Sequence, residues 1–339
     1  MSEKRSYWRG VWLRFKKRPA AMFGLSIAIL LLLAAIFAPF IAGERPIVMI
    51  WKGKIYAPII YEPRSIKGLD YKGLMDADAR LIMPPIPYLP NTYNLDEVLL
   101  PPSKRHPLGT DEQGRDVASQ VIWGARTSLV VGILSVFLYT AIGLLLGAIA
   151  GYFGGVIDMV VSRLIEVMLC FPSFFLMLAL LAMGSVSIDL MNIHIKLSGI
   201  HMIIFVIGIT GWTGVARLVR GEVLKLKQLE YVAAAKVAGA SPSRIIFRHI
   251  LPHAISPVVV VATFGVASAI LAESGLSFLG FGVPPYVPSW GGMLSRAQDF
   301  MDTCWWLVVV PGAAIFVTTL AYNLIGEALR DAMDPRLVV

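Results

Sequence analysis

The chain has 339 residues, 57% of them hydrophobic and only 15% charged, with 30 Lys and Arg against 22 Asp and Glu and a formal net charge of +8. Its mean hydropathy of +0.71 excludes an ordinary soluble globular domain, which would need far more polar surface. Two cysteines, Cys170 and Cys304, at distant positions exclude a disulfide framework.

The chain opens with a basic arm, residues 1–20, in which Lys4, Arg5, Arg9, Arg14, Lys16, Lys17 and Arg18 face the single acid Glu3. Apolar segments follow at 21–42, 128–150, 167–184, 200–218, 255–272 and 305–325. A hydrocarbon core about 30 Å thick needs roughly 20 apolar residues per spanning helix, and these segments meet or approach that length. None has the alternation of a membrane β-strand. The expected fold class is an all-α polytopic membrane protein with six transmembrane helices. The segment at 21–42 follows a basic start, as a secretory signal would, but it is long and has no small-residue cleavage site, so it is expected to be a permanent span.

Lys and Arg flanking the spans are retained on the cytoplasmic side, which puts the N-terminal arm inside. Threading six spans from there puts the stretch carrying Arg220, Lys225, Lys227, Lys236, Arg244 and Arg248 in the cytoplasm, together with a tail, 327–339, that holds Arg330 and Arg336. The short loops assigned outside hold one basic residue each, Lys196 and Arg296.

Residues 43–127 form a long segment of mixed charge, expected outside, where loops of this length cross regardless of their charge. Within it "PIVMIWKGKIYAPIIY" alternates around a Lys-Gly turn, a hairpin signal. "GTDEQGRD" clusters Asp111, Glu112 and Asp116 around glycines without the spacing of a calcium loop, and turn formation is the expectation. Further on, "GLLLGAIAGYFGG" sets Gly143, Gly147, Gly151 and Gly155 four apart, a smooth ridge for close helix packing, within this chain or onto a partner. Arg163 and Glu166 stand three apart near one end of the third segment, where pairing or snorkelling anchors them, and Glu273 stands at the end of the fifth.

Between the fourth and fifth segments, the stretch 221–252 is polar and helix-prone. It contains "EYVAAAKVAGASPSRIIFRHILP", which begins at Glu230 and ends at Pro252. Good helix formers lead to Gly239, a natural stop. Ser241 can cap a second helix, Pro242 suits its first position, and Pro252 is expected to end it. Ala233, Ala234, Ala235, Ala238 and Ala240 leave room for a partner's backbone; a plain amphipathic hairpin packed on the bundle fits the same spacing. His249 and His253 have the spacing of a metal pair, but no carboxylate or cysteine joins them, so no metal site is expected.

This stretch resembles the E-A-A, three residues, G, nine residues, I-x-L-P loop of permease subunits in binding-protein-dependent ABC importers, with Ala234, Ala235, Gly239, Leu251 and Pro252 on the pattern. Ala233 stands where that family has Glu, and His249 where it has Ile. With Glu230 opening the helix, the variant is similar to that of oligopeptide, dipeptide and nickel permeases. "HPLGTDEQGRDVASQVIWGARTSL", "AESGLSFLGFGVPP" and "NLIGEALRDAMDPRL" resemble that family's second-permease type, and the long segment after the first span resembles its oligopeptide and peptide-antibiotic branch.

The resemblance implies the type I ABC importer permease fold, with a transmembrane core over 128–326. It implies four kinds of partner: a second homologous permease, two cytoplasmic ATPases, an extracytoplasmic solute-binding protein and the lipid bilayer. The insert would be the coupling helix seated on the ATPase, drawing on Glu230, Ala234, Ala235, Gly239, Ala240, Ser241, Arg244, Leu251 and Pro252. Peptide is the expected substrate class, with nickel or another small solute as the alternative. No cofactor is expected, and no G-x-x-x-x-G-K-[ST] phosphate loop occurs, so ATP hydrolysis falls to other subunits. A secondary transporter would show an internal repeat and charged, broken mid-membrane helices. An intramembrane enzyme would show a motif such as H-E-x-x-H. The sequence carries neither signature.

Overall fold

The computed structural model describes residues 2–51, 54–61, 71, 80–190 and 193–334. The helices are α1 (Ser2–Lys16), α2 (Pro19–Ile36), α3 (Ala38–Ile41), α4 (Val117–Phe153), α5 (Gly155–Cys170), α6 (Ser173–Ala182), α7 (Ile200–Leu226), α8 (Glu230–Val237), α9 (Pro242–Arg244), α10 (Leu251–Phe278), α11 (Trp290–Arg296) and α12 (Trp305–Met333). Among the described residues, α2, α4, α7, the continuous stretch Pro242–Phe278 and α12 are each long and apolar enough to cross a bilayer.

The segment expected at 167–184 is not one helix. It straddles the junction of α5 and α6, which meet at 84° and make a sixth crossing only if the pair counts as one. Pro172 is the cause. Its ring forces Phe171 into extended backbone, at φ −99° and ψ 130°, and Pro172 itself offers no N–H to continue the ladder.

Pro252 does not end a helix, contrary to the expectation. The backbone widens into a π-helical turn over Ile245–Ile250, and the Leu251 N–H reaches back to the Ile246 carbonyl. The wider turn lets the chain pass the missing N–H and run on into α10. The second arm of the polar insert is therefore the first part of a spanning helix.

The chain divides into two compact units. The first comprises Met1–Ala28, Val131–Leu276 and Thr318–Val339. In it, Val11, Phe15 and Ala21 bury against Ala328 and Ala332, and Arg18 pairs with Asp331. A Cβ on Gly24 would lie 2.8 Å from the Ala321 carbonyl oxygen, so α2 and α12 approach at backbone distance. β4 (Val186–Leu190) and β5 (Ile193–Leu197) form an antiparallel hairpin, pairing Val186 with Leu197 and Leu190 with Ile193.

The second unit comprises Ile29–Val130 and Ser277–Val317. Here β1 (Val48–Trp51) pairs antiparallel with β2 (Lys54–Tyr56) on one side and β3 (Arg80–Ile82) on the other. β1 and β2 form the hairpin that the alternation predicts; its Lys52–Gly53 turn lies outside the described residues. Trp290 is fully buried and donates from Nε1 to the Val121 carbonyl at 3.0 Å. Trp306 donates likewise to Thr110 at 3.1 Å.

Candidate functional site

The polar insert is built as an exposed tip on a buried root. α7 closes at Lys227, Leu229 turns extended, and α8 begins at Glu230. Glu230 in the first turn and Lys236 in the last both suit the helix dipole. At the far end the Ala240 N–H reaches the Ala235 carbonyl and the Gly239 N–H reaches that of Lys236, each at 3.0 Å. Gly239 has φ +76°. This pair of reversed bonds around a left-handed residue is a standard helix stop that favours glycine. The Ser241 side chain then accepts from the Arg244 N–H at 3.4 Å, capping α9 with Pro242 in its first turn.

Glu230, Ala234, Gly239, Ser241 and Arg244 are exposed, Ala235, Ala240 and Pro252 are half-buried, and Leu251 is buried. Val232 of α8 is buried, as are Ile245, Ile246 and Ile250 of the π-helical turn, against which α8 packs. The nine residues named from the sequence thus split: the first seven, Glu230 to Arg244, form the tip, while Leu251 and Pro252 belong to the root and face the fold. Sequence reasoning missed four exposed apolar side chains on the insert, Leu229, Tyr231, Val237 at 90% exposure and Phe247 at 59%. Their signal was apolar character in a stretch otherwise read as polar.

Behind the tip, the glycines of α4 meet α7. A Cβ on Gly143 would lie 2.8 Å from the Trp212 carbonyl oxygen, one on Gly147 2.5 Å from that of Ala216, and one on Gly151 2.9 Å from that of Arg220. This row packs within the chain. Gly155 does not continue it: α4 ends at Phe153, Gly155 has φ +54°, and a Cβ there would meet nothing within 4 Å. Also in the first unit is an uncharged recess of about 330 Å³, lined by Tyr139, Met177, Gly211, Val215, Phe264 and Ser268 among others.

The acidic cluster of the second unit folds its own loop. Asp111 Oδ1 accepts from the Gln113 and Arg115 N–H groups, both at 2.9 Å. Its Oδ2 accepts from Arg115 Nε and Gln120 Nε2, both at 2.7 Å. Asp116 Oδ1 accepts from the Ser119 N–H at 2.7 Å in the first turn of α4, and Asp116 Oδ2 lies 2.8 Å from Nδ1 of buried His106. Arg296 donates to Gln120 at 2.9 Å and lies 3.8 Å from Glu112. Burial, with Asp111 nearby, pushes the Glu112 carboxyl above its usual range; burial, with Arg115 nearby, pulls the Arg296 guanidinium down. Every carboxylate of this cluster is committed to the loop's own donors. Elsewhere, Arg163 and Glu166 pair in the open at 2.5 Å, and Glu273 is fully buried.

Residues 143–339 match the family described as binding-protein-dependent transport system inner membrane component, and residues 6–62 match the N-terminal TM domain of oligopeptide transport permease C. The chain is 35% identical to the dipeptide transport system permease protein of Alkalihalophilus pseudofirmus, over 98% of this chain and 91% of that protein. It is 33% identical to the oligopeptide transport system permease protein of Bacillus subtilis, over 98% and 90%. It is 40% identical to the glutathione transport system permease protein of Pectobacterium atrosepticum, over 73% and 78%. A chain of a solved methionine ABC transporter aligns at 16% identity with a TM-score of 0.47, over 62% of this chain and 96% of that one. With its several apolar helices this is a multi-pass inner-membrane protein and a transport component rather than an enzyme: the chain belongs to the family of binding-protein-dependent transport system inner membrane components.

Proposed function

We propose that this chain forms half of the translocation path of an ATP-driven peptide importer, paired with a second, homologous permease, and that its insert seats on a cytoplasmic ATPase. The observation that carries the reading is the build of the insert. Its tip is exposed and capped by its own backbone, and its far arm is continuous with the spanning helix α10. A load on the tip is thus applied directly to a helix that crosses the membrane.

In this reading both termini and the stretch 221–252 are cytoplasmic, and 43–127 is extracytoplasmic, where it meets the solute-binding protein. The uncharged recess beside Tyr139 and Ser268 is part of the path. Its neutral wall suits a peptide, whose net charge varies from one substrate to the next, better than nickel, which would call for imidazole, thiolate or carboxylate ligands. The dipeptide, oligopeptide and glutathione transport named for the relatives supports the same class.

Reconstitution tests it. Purified alone in liposomes, the chain takes up no labelled dipeptide and hydrolyses no ATP; uptake begins when the second permease, the ATPases and the binding protein are supplied. Robust dipeptide flux through the single chain contradicts the reading. Orientation is checked separately in a variant lacking Cys170 and Cys304: a cysteine placed at Asn91 reacts with an impermeant thiol reagent from outside, and one at Arg244 does not.

A further inference from the structure

We infer that the corner between α4 and α5, residues 151–158, receives the motion of the insert by a second route beside α10, and that Asp158 and Arg220 are its positioning residues. The inference rests on the coupling role proposed above and names the next link.

Three cationic side chains on or directly before the insert reach this one corner. Arg220, near the end of α7, embraces the Asp158 carboxylate with Nε on one oxygen and Nη2 on the other, the latter at 2.7 Å. Lys227, the residue that closes α7, donates to the Gly151 carbonyl at 2.8 Å. Lys236, in the last turn of α8, places Nζ 5.7 Å from the Tyr152 ring centre, within range of a cation–π contact. A two-pronged guanidinium–carboxylate pair fixes direction as well as distance, which a point charge does not. Asp158 and Arg220 lie 62 residues apart, so their pairing leaves no local trace in the sequence.

The corner can also pivot. Gly154 and Gly155 have φ of +69° and +54°, and a Cβ on either would meet nothing within 4 Å. Two consecutive glycines of positive φ join α4 to α5, so α5 follows α4 through a two-glycine turn while it packs on α7 and is tied by charge at Asp158 to Arg220, directly before the insert. By contrast, the glycine row of α4 holds α4 against α7 at backbone distance. A shift of α7 and α8 would therefore carry α4 with it and swing α5.

The test uses the complete reconstituted transporter, with labelled dipeptide uptake per ATP hydrolysed as the readout and ATPase co-purification alongside. Asp158→Arg and Arg220→Asp each leave co-purification intact and lower uptake per ATP by about tenfold, and the double exchange restores it to within about threefold, as a directly coupled pair should. Asp158→Asn, which adds no repulsion, gives an intermediate loss. Parental uptake per ATP in the single variants overturns the inference. So does loss of ATPase co-purification in step with uptake, since the pair would then merely hold the fold. Gly239→Arg, run in parallel, separates the two ideas: if it alone is silent the coupling role of the insert fails, and if only the charge exchanges are silent the corner fails while the insert stands.

Discussion

Gly114 and Gly239 both occupy the left-handed region, at φ +69° and +76°, yet their surroundings are opposite. A Cβ on Gly114 would fall 1.8 Å from the Asn94 carbonyl oxygen, and one on Gly109, also left-handed, 2.7 Å from that of Leu100. A Cβ on Gly239, Gly154 or Gly155 would meet no heavy atom within 4 Å. The loop of Gly109 and Gly114 is packed shut around buried charges. The insert and the α4–α5 corner use the same backbone conformation with space around it. The first pattern is what a loop needs to hold one shape, and the second is what a surface needs to accept another chain or to move.

Substitutions can break that comparison, and the largest effect is expected inside the packed loop. Asp111→Ala strips partners from the Gln113 and Arg115 N–H groups and from the side chains of Arg115 and Gln120, and leaves the buried Arg115 guanidinium with its longer contact to Glu112, at 3.3 Å, in place of the two-point grip. Loss of one partner of such a pair costs about 3–5 kcal/mol, read as a collapse in the yield of folded protein from detergent. A stability like the parent's would mean that the network is decorative.

Next comes the glycine contrast itself. Gly114→Ala adds left-handed strain to a backbone collision and should cost more than about 2 kcal/mol. Gly239→Ala carries only the strain, about 1 kcal/mol. Thermal unfolding of the two variants in one detergent measures the difference, and equal losses would erase the distinction between packed and open loops.

The smallest effect is electrostatic. Because burial raises the Glu112 carboxyl, the folded state favours its protonated form. That contribution is full below the ordinary glutamate range and fades as pH rises through the raised value. The parent should therefore lose stability relative to Glu112→Gln as pH rises above the ordinary glutamate range. A difference that does not change with pH would contradict the burial argument.

The spans were legible because an apolar run of spanning length has few other uses, and the helix stop at Gly239 because glycine before a serine–proline pair punctuates strongly. Two prolines show the limit. Pro172 breaks its span while Pro252 does not, and the difference lies in a π-helical turn that no local rule places. The β4–β5 hairpin carries an alternating signal, as in "VSIDL" and "IHIKL", too short to stand out between two apolar segments. The side chains around the insert were harder still. Asp158 and Arg220 lie 62 positions apart, and Gln120 and Arg296 lie 176 apart; neither pairing leaves a local trace. The ridge of Gly143, Gly147 and Gly151 was visible as a pattern, but the face it serves and its end at Phe153 required the fold.

Transmission of work by the insert is open to one direct test. The direct measurement is Gly239→Arg in the complete transporter, with membrane insertion, ATPase co-purification and dipeptide uptake taken from one preparation and compared with Asn91→Arg as a control. No apolar span is altered, so insertion should match the parent. A bulky cation in the left-handed turn of the tip should weaken ATPase retention or lower uptake by about tenfold or more, while the control changes neither. A Gly239→Arg transporter that assembles and imports like its parent would show that this insert is not the link between ATP and the membrane path.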